Sequence, residues 1–474
     1  MFTRPASQSR RRSASRSIGV SASVKLRIHV AGEKKIDTAP QCESDAAGEA
    51  EDEAPDQAAE WNGAFSAFRA LRHRNFRLFF TGQLVSLIGT WMQSVAQAWL
   101  VLKLSNSAFM LGVVTFAGFM PIVLVSLFAG VVIDHVDRRR LIIVAQALMM
   151  LSAFALAALT WLGVVRVEHV IILAAINGFV SAFDMPGRQA FVVEMVGKED
   201  LPNAIAMNSM IFNGARMVGP AIAGLLVASI GVAGCFFLNG ASFLAVIWSL
   251  LLMDVPRRPR TEIGRAIIRH IRDGLSYVGG HPPTLWLMLV VAINSGIALQ
   301  YSVLIPVFAR DLLHSGASGF GFLMAAQGLG AVAGAIVMNS RESAPRALRQ
   351  NLVFGIFCTA VAIATFGLSQ WMILSIVAQL LIGVGLMNHM VTTNTMLQLF
   401  VSDELRGRVM SIYTLSFIGA APLGSLAVGY VGENLSARVA VLGCAAFSLA
   451  CGLLLLTKLG MIAQAQGTIQ APAA

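Results

Sequence analysis

The sequence predicts an all-α membrane protein of twelve transmembrane helices, arranged as two pseudo-symmetric six-helix bundles. Three observations predict it. Of 474 residues, 56 % are apolar and only 13 % charged, about half the charge that a soluble globular chain carries. The apolar residues fall in runs that reach the roughly 20 residues a helix needs to cross hydrocarbon. The runs of the second half also echo those of the first. The high hydrophobicity excludes a disordered chain, except locally. A fibre is excluded because neither a Gly-X-Y period nor a charge-flanked heptad is present.

Residues 78–102, 109–133 and 141–165 are uncharged and form spans 1 to 3. Span 4, residues 170–193, holds Asp184 and Arg188, and span 5, residues 204–230, holds Arg216. Residues 233–253, 284–309 and 315–340 are again uncharged and form spans 6 to 8. Residues 350–402 contain no Asp, Glu, Lys or Arg, which leaves room for spans 9 and 10 with a polar break at Ser369 and Gln370. Spans 11 and 12 are residues 409–432 and 439–457.

The loops orient the chain. Alternate loops, with the segment entering span 1 and the last tail, hold 21 Lys and Arg, against 4 on the other side. By the positive-inside rule both termini face the cytoplasm, and a multi-pass protein of the plasma (inner) membrane is expected. The net charge of +10 would point to nucleic acid in a soluble protein. Here the charge belongs to loops, so no nucleic-acid partner is expected. The five cysteines are scattered without ligand spacing, and four lie in apolar runs. They are read as core residues, with no metal and no cofactor.

Residues 1–68 form a separate segment. It is Arg- and Ser-rich at first, then carries ten acids between residues 33 and 60. The expectation is a disordered cytoplasmic tail; a transit peptide and a wrongly assigned start are the alternatives. Residues 69–254 form the first bundle and 284–457 the second, with a short cytoplasmic tail at 458–474. In the linker, 255–283, Ile263, Ile267, Ile271 and Leu275 recur every fourth residue among arginines. That pattern predicts an amphipathic helix at the membrane surface.

The halves correspond at an offset of about 200 residues. Asp200-Leu201 opens span 5 as Glu404-Leu405 opens span 11; Pro220 and Pro422 sit in glycine-rich centres; Ala108–Gly112 parallels Ala317–Gly321. Paired halves of this kind build many secondary transporters, with the substrate site between them near the midplane.

Three motifs carry a family resemblance. After span 2, Gly130, Asp134, Arg138 and Arg139 resemble the loop signature of the major facilitator superfamily. His135 and Asp137 replace its usual Arg and Gly. Physically, Gly130 would allow close helix packing, and Asp134 would meet a helix N-terminus or an Arg as a gating latch. The alternative is a plain positively charged loop. In span 5, Gly214, Gly219, Pro220 and Gly224 are similar to the Gly-Pro motif of the proton-antiporting exporters. As physics it is a close-packing site or an ordinary kink. Phe183-Asp184-Met-Pro186-Gly-Arg188 with Asp200-Leu-Pro-Asn, and Gly89-Thr90-Trp91 in span 1, resemble the branch holding the enterobactin-type siderophore exporters and macrolide-efflux proteins. The resemblance covers residues 68–456 and implies the major facilitator fold.

Polar residues inside spans mark where a site could be. Gln83, Ser86, Thr90, Gln93 and Gln97 follow steps of 3 and 4, so they share one face over about 21 Å of helix. Such a stripe faces either a water-filled cavity or neighbouring helices that hydrogen-bond it. Asn177 and Ser181 in span 4, Asn213 in span 5, Asn294 and Tyr301 in span 7, Gln327 in span 8 and Asn388 in span 10 extend the candidate cavity. With Arg188 placed at the interface, Asp184, Arg216 and His389 are the ionisable groups well inside spans. Asp184 is the expected partner of Arg216, either as the proton carrier of a coupled cycle or as a fixed ion pair. His389 is a proton shuttle or a core histidine.

The function implied is secondary active transport, exporting a small amphiphilic, drug- or siderophore-like molecule by proton antiport through alternating access. The expected partners are that substrate, protons and the lipid bilayer, with the protein a monomer. Proton-coupled uptake is the alternative within transport; a non-transporting membrane sensor or a membrane enzyme is the alternative outside it. An ATP-driven pump is not expected, because the sequence has no Gly-x4-Gly-Lys-Ser/Thr loop.

Overall fold

A computed structural model describes residues 64–254, 267–339 and 345–470 of the chain. The expected tail up to residue 63, the start of the linker including Ile263, and residues 471–474 lie outside them. Twelve helical stretches are long and apolar enough to cross a membrane. In order they are Arg74–Ser105, Ala108–His135, Arg138–Trp161, Val167–Val196, Leu201–Ser229, Gly231–Leu251, Pro282–Leu312, Gly316–Asn339, Pro345–Leu368, Met372–Phe400, Glu404–Asn434 and Ala437–Gln470. They are spans 1 to 12. Each lies on its sequence-derived run, so the charge-poor segments are membrane helices.

Local chemistry sets the boundaries. Span 1 stops at Asn106, which is left-handed at φ 50, and Ser107 then caps span 2 by accepting the Met110 amide. Asp137 caps span 3 by accepting the Arg140 amide at 3.1 Å, a helix N-cap in its ordinary role. Gly197, Gly231 and Gly316 take positive φ between spans, where a Cβ would be strained. The linker helix, Ile267–Gly280, leads into span 7.

Two spans are broken. Span 7 is α-helical over Pro282–Gly296, then tightens into a 3-10 stretch at Ala298–Leu304 and ends in a π turn, Phe308–Leu312. Span 11 breaks at Ala420, and Pro422 opens its second segment, Ala421–Asn434. Pro220, the sequence counterpart of Pro422, leaves span 5 continuous over Leu201–Ser229. The two prolines correspond in sequence, but only one breaks its helix.

Spans 1 to 6 pack mainly on one another, as do spans 7 to 12, and the two groups meet where span 5 crosses span 8 and span 2 crosses span 11. These two seams interchange when the halves are swapped, the signature of pseudo-symmetry. The apolar core shows how the halves are joined. At the end far from the chain termini one continuous cluster unites both, from Met92 and Phe236 to Phe320, Phe366 and Val441. At the end carrying the termini the core divides. One cluster, around Phe79, Phe191 and Leu250, belongs to the first half, and another, around Leu287, Leu352 and Leu397, to the second. The halves are therefore joined at the far end and part towards the terminal end.

At the terminal end a short helix, Ala64–Arg72, is fastened to span 5. Asp200, 2 % exposed, accepts from Arg69 and Arg72 at 2.8 Å and from His73 at 2.6 Å. Burial pulls its carboxyl upward, but the His73 hydrogen bond and the two guanidinium charges outweigh burial and hold it below its ordinary value. A carboxyl depressed in the folded state stabilises above the unfolded pKa of about 3.9 and stops doing so as pH falls through its folded value. Asp200→Asn is therefore expected to lower the thermal midpoint in detergent by an amount equivalent to about 1.5–3 kcal/mol. The wild-type advantage should hold above about pH 4 and shrink below it.

Candidate functional site

A cavity of about 430 Å³ opens among spans 1, 2 and 4, with walls from spans 6, 7 and 8. Of the candidate residues, Thr90, Gln93, Gln97, Asn177 and Ser181 line it. Trp91, Phe119, Phe243 and Phe320 supply its aromatic surface. The walls are neutral, with polar groups from spans 1 and 4 joined by Thr115 of span 2, Asn239 of span 6 and Ser302 of span 7. Gln93 is 9 % exposed and accepts from Asn239 of span 6 at 2.6 Å. That bond turns a stripe residue into both wall and inter-helix contact.

The remaining candidates lie elsewhere. Gln83 and Ser86 are buried outside the cavity wall. The span 1 stripe thus divides along its length between packing and cavity. Asn213 bonds the Ser209 carbonyl of its own helix, and Asn388 that of Val384. Asn294 accepts from Ser448 of span 12 at 2.9 Å. Tyr301 and Gln327 belong to a relay between helices. Arg216 donates to Gln327 at 3.2 Å, Gln327 to the Tyr301 hydroxyl at 2.9 Å, and Tyr301 to Gln379 at 2.7 Å. Gln379 lies in the same uncharged run as Asn388 and is not among the sequence candidates.

The expected Asp184–Arg216 pair is not formed. Asp184, fully buried, pairs with Arg188 one turn along span 4 and accepts from Gln146 of span 3 at 3.0 Å. The i,i+4 geometry brings Arg188 to the carboxylate without any tertiary search. Arg216 lies instead on the span 8 seam, with its guanidinium carbon 5.7 Å from the Trp91 ring centre. Asp184 lies one turn beyond Ser181, so the buried pair adjoins the cavity wall. His389 is 3 % exposed and is not part of that wall.

The gating residues need correction. Gly130 is exposed, and among the described residues no atom lies within 4 Å of where its Cβ would stand, so the expected close helix packing is not seen there. The Asp134 side chain lies outside the described residues. Arg138 reaches Glu194 of span 4 at 2.7 Å, and Arg139 bonds the Leu250 and Leu251 carbonyls at the end of span 6. Both arginines therefore tie helices of the first half together, and Arg139 caps a helix C-terminus, where cations are favoured. A carboxylate at a helix N-terminus does join the two halves, but at the far end. Glu433 of span 11 accepts from the Ala108 amide at 2.7 Å and from that of Phe109 at 3.4 Å.

In span 5, Gly214 has open space, so it is not a packing glycine. A Cβ on Gly219 would stand 2.6 Å from Trp91, and one on Gly224 would stand 3.0 Å from the Ser318 carbonyl of span 8. These glycines, with Pro220 between them, let span 5 touch span 1 on one side and the second half on the other.

The model of the transmembrane secretion effector family matches residues 65–470. The chain belongs to this family of major facilitator transporters. The transporter is 26 % identical over 363 residues to the staphyloferrin A transporter of Staphylococcus aureus, covering 74 % of this chain and 87 % of that one. It is 27 % identical over 352 residues to the multidrug efflux pump Tap of Mycolicibacterium fortuitum, covering 72 % and 85 %. The enterobactin exporter EntS of Shigella boydii is 26 % identical over 375 residues, with 77 % and 86 % covered. Among solved structures, the nucleoside transporter NupG superposes with a TM-score of 0.64 at 12 % identity, over 82 % of this chain and 98 % of that chain. A bacterial homologue of the lysosomal transporter Spinster, in an inward-facing and unoccupied conformation, gives 0.62 at 14 % identity, over 85 % and 99 %. At such identities the structures establish the fold alone.

Proposed function

We propose that the transporter exports a small amphiphilic molecule across the plasma membrane by proton antiport, acting as a monomer with both termini in the cytoplasm. Residues 69–254 and 284–457 move as two bodies about the cavity, joined by the linker. The observation that carries this proposal is the cavity itself. Neutral amides, hydroxyls and aromatic rings surround about 430 Å³ between helices, the lining expected of a site for a small, largely apolar ligand. The core supports the direction of access, since the halves separate at the arginine-rich end and are sealed at the other. Relatives named as a multidrug efflux pump and an enterobactin exporter support export. The Asp184–Arg188 pair, one turn from the wall, is the proposed proton carrier.

The test is flux in everted vesicles, in which a cytoplasmic face is presented to the medium. An imposed pH gradient, acid inside, is expected to drive accumulation of a fluorescent amphiphile. Collapsing the gradient with a protonophore should abolish that accumulation. Accumulation confined to right-side-out vesicles would establish uptake instead.

A further inference from the structure

Arg216 is a cation set midway along a membrane span. Among the described residues its side chain has one hydrogen-bond acceptor, the Gln327 amide oxygen at 3.2 Å, and its Nε is buried with no partner. Gln327 brings no charge, because its amide donates onward to Tyr301 and so to Gln379. The Trp91 ring, 5.7 Å away, offers a π face and no charge either. A guanidinium has five N–H donors, so most of this one's capacity is unspent. A cation without a counter-charge inside a membrane protein is costly, and such residues mark ligand pathways.

Its position sets what would complete it. Trp91 lines the cavity, and so does Met324, one turn from Gln327. Beside Arg216 the two halves touch backbone to backbone, where a Cβ on Gly328 would stand 2.8 Å from the Arg216 carbonyl. Arg216 is not itself part of the cavity wall; its guanidinium lies beside Trp91, which is, and on the seam where the two halves meet. A planar fork with free N–H groups matches a carboxylate in two parallel bonds. We propose that the transported molecule is an organic anion, its carboxylate held by Arg216 and its apolar or aromatic body against Trp91 and Phe320. This rests on the export proposal for the identity of the site, but not for the charge preference, which binding alone can read.

The experiment uses the full chain in a neutral detergent and three size-matched probes: 2-naphthoate, 2-naphthamide and 2-naphthylmethylammonium. Binding is read as a rise in thermal midpoint, followed by thiol reactivity of the buried cysteines Cys235, Cys444 and Cys451. The carboxylate is expected to act at a concentration at least about tenfold lower than the amide, and the ammonium to be the weakest. Arg216→Gln should erase the preference for the carboxylate over the amide, and Arg216→Lys should keep part of it. A wild-type protein that binds the carboxylate no better than the amide, or binds neither, overturns the inference whether or not the variants fold. So does an Arg216→Gln protein that keeps the preference. In vesicles, export of cationic or neutral amphiphiles with no competition by naphthoate sinks the anion inference alone. Movement of nothing under any gradient sinks the export proposal, and the probe comparison in detergent still decides the charge preference.

Discussion

Asp184→Asn is expected to abolish gradient-driven export while leaving exchange of substrate across the membrane intact. The carboxylate is fully buried, paired with Arg188 and bonded to Gln146. Removing one partner of a buried ion pair commonly costs about 3–5 kcal/mol. Here the loss should be smaller, because Arg188 is 22 % exposed and asparagine still accepts from Gln146. The variant should therefore fold. What it loses is the proposed proton carrier, one turn from the cavity wall. In everted vesicles, accumulation under an acid-inside gradient should fall at least about tenfold, more than 1.4 kcal/mol of lost driving force. Exchange of labelled for unlabelled substrate without a gradient should persist. A purely structural pair predicts the opposite division. Both activities would then fall together with the thermal midpoint, and Asp184→Asn combined with Arg188→Gln would restore both. Full gradient-driven export by Asp184→Asn would remove the carboxylate from coupling altogether.

The pairing of Asp184 shows where sequence reasoning stops. The twelve spans were legible because hydrocarbon thickness fixes a minimum length and excludes charge from it. Depth within a span was not legible. Placing Arg188 at the interface left Arg216 as the nearest cation to Asp184, whereas in the structure the i,i+4 neighbour takes the carboxylate. Periodicity likewise groups Gln83 to Gln97 on one face of span 1 without saying which neighbour covers each turn. Gln83 and Ser86 are buried, while Thr90, Gln93 and Gln97 reach the cavity. The break in span 11 falls at Pro422, which cannot continue the preceding hydrogen-bond ladder, although the corresponding Pro220 leaves span 5 unbroken. The break in span 7 begins ahead of Pro306, at Gly296 and Ile297. The relay from Arg216 to Gln379 joins four spans and has no counterpart along the chain. Glu433 lies just past the uncharged run 409–432, and the helix N-terminus it meets is more than 300 residues away along the chain.

Gly112→Leu and Gly321→Leu are expected to hold the far end of the transporter open and to reduce transport by about 100-fold or more, without unfolding either half. Both glycines lie where the halves touch. A Cβ on Gly112 would overlap the Ser425 carbonyl of span 11, and one on Gly321 would stand 2.5 Å from the Pro220 carbonyl of span 5. Ser425 and Ser318 bond across the same seams, to the Gly112 and Gly224 carbonyls. Overpacking a tight contact costs about 1–3 kcal/mol, and leucine adds four carbons to a space that excludes one. Where the contact lies within a half, no alternative packing relieves that cost. Gly178 meets the Gly118 carbonyl inside the first half, so Gly178→Leu should lower the thermal midpoint. Where the contact lies between halves, rotation relieves it, and the cost becomes a bias towards the state open at the far end. A swing from 1:99 to 99:1 takes about 5.5 kcal/mol, so one leucine covers a large part of it. Loss of the Glu433 contact to the span 2 N-terminus should act in the same direction. It should act more weakly, by about 0.3–1 kcal/mol for an exposed group, so Glu433→Gln is expected to slow transport a few-fold. Spin labels at Leu162 and Trp371, both highly exposed and placed at the far ends of opposite halves, report the separation directly. With the native cysteines replaced, the labelled Gly112→Leu and Gly321→Leu proteins should show a longer mean distance, and Gly178→Leu a broadened one. An unchanged distance in the first two, with transport lost, would mean that the glycines serve the fold of each half and not the seal between them.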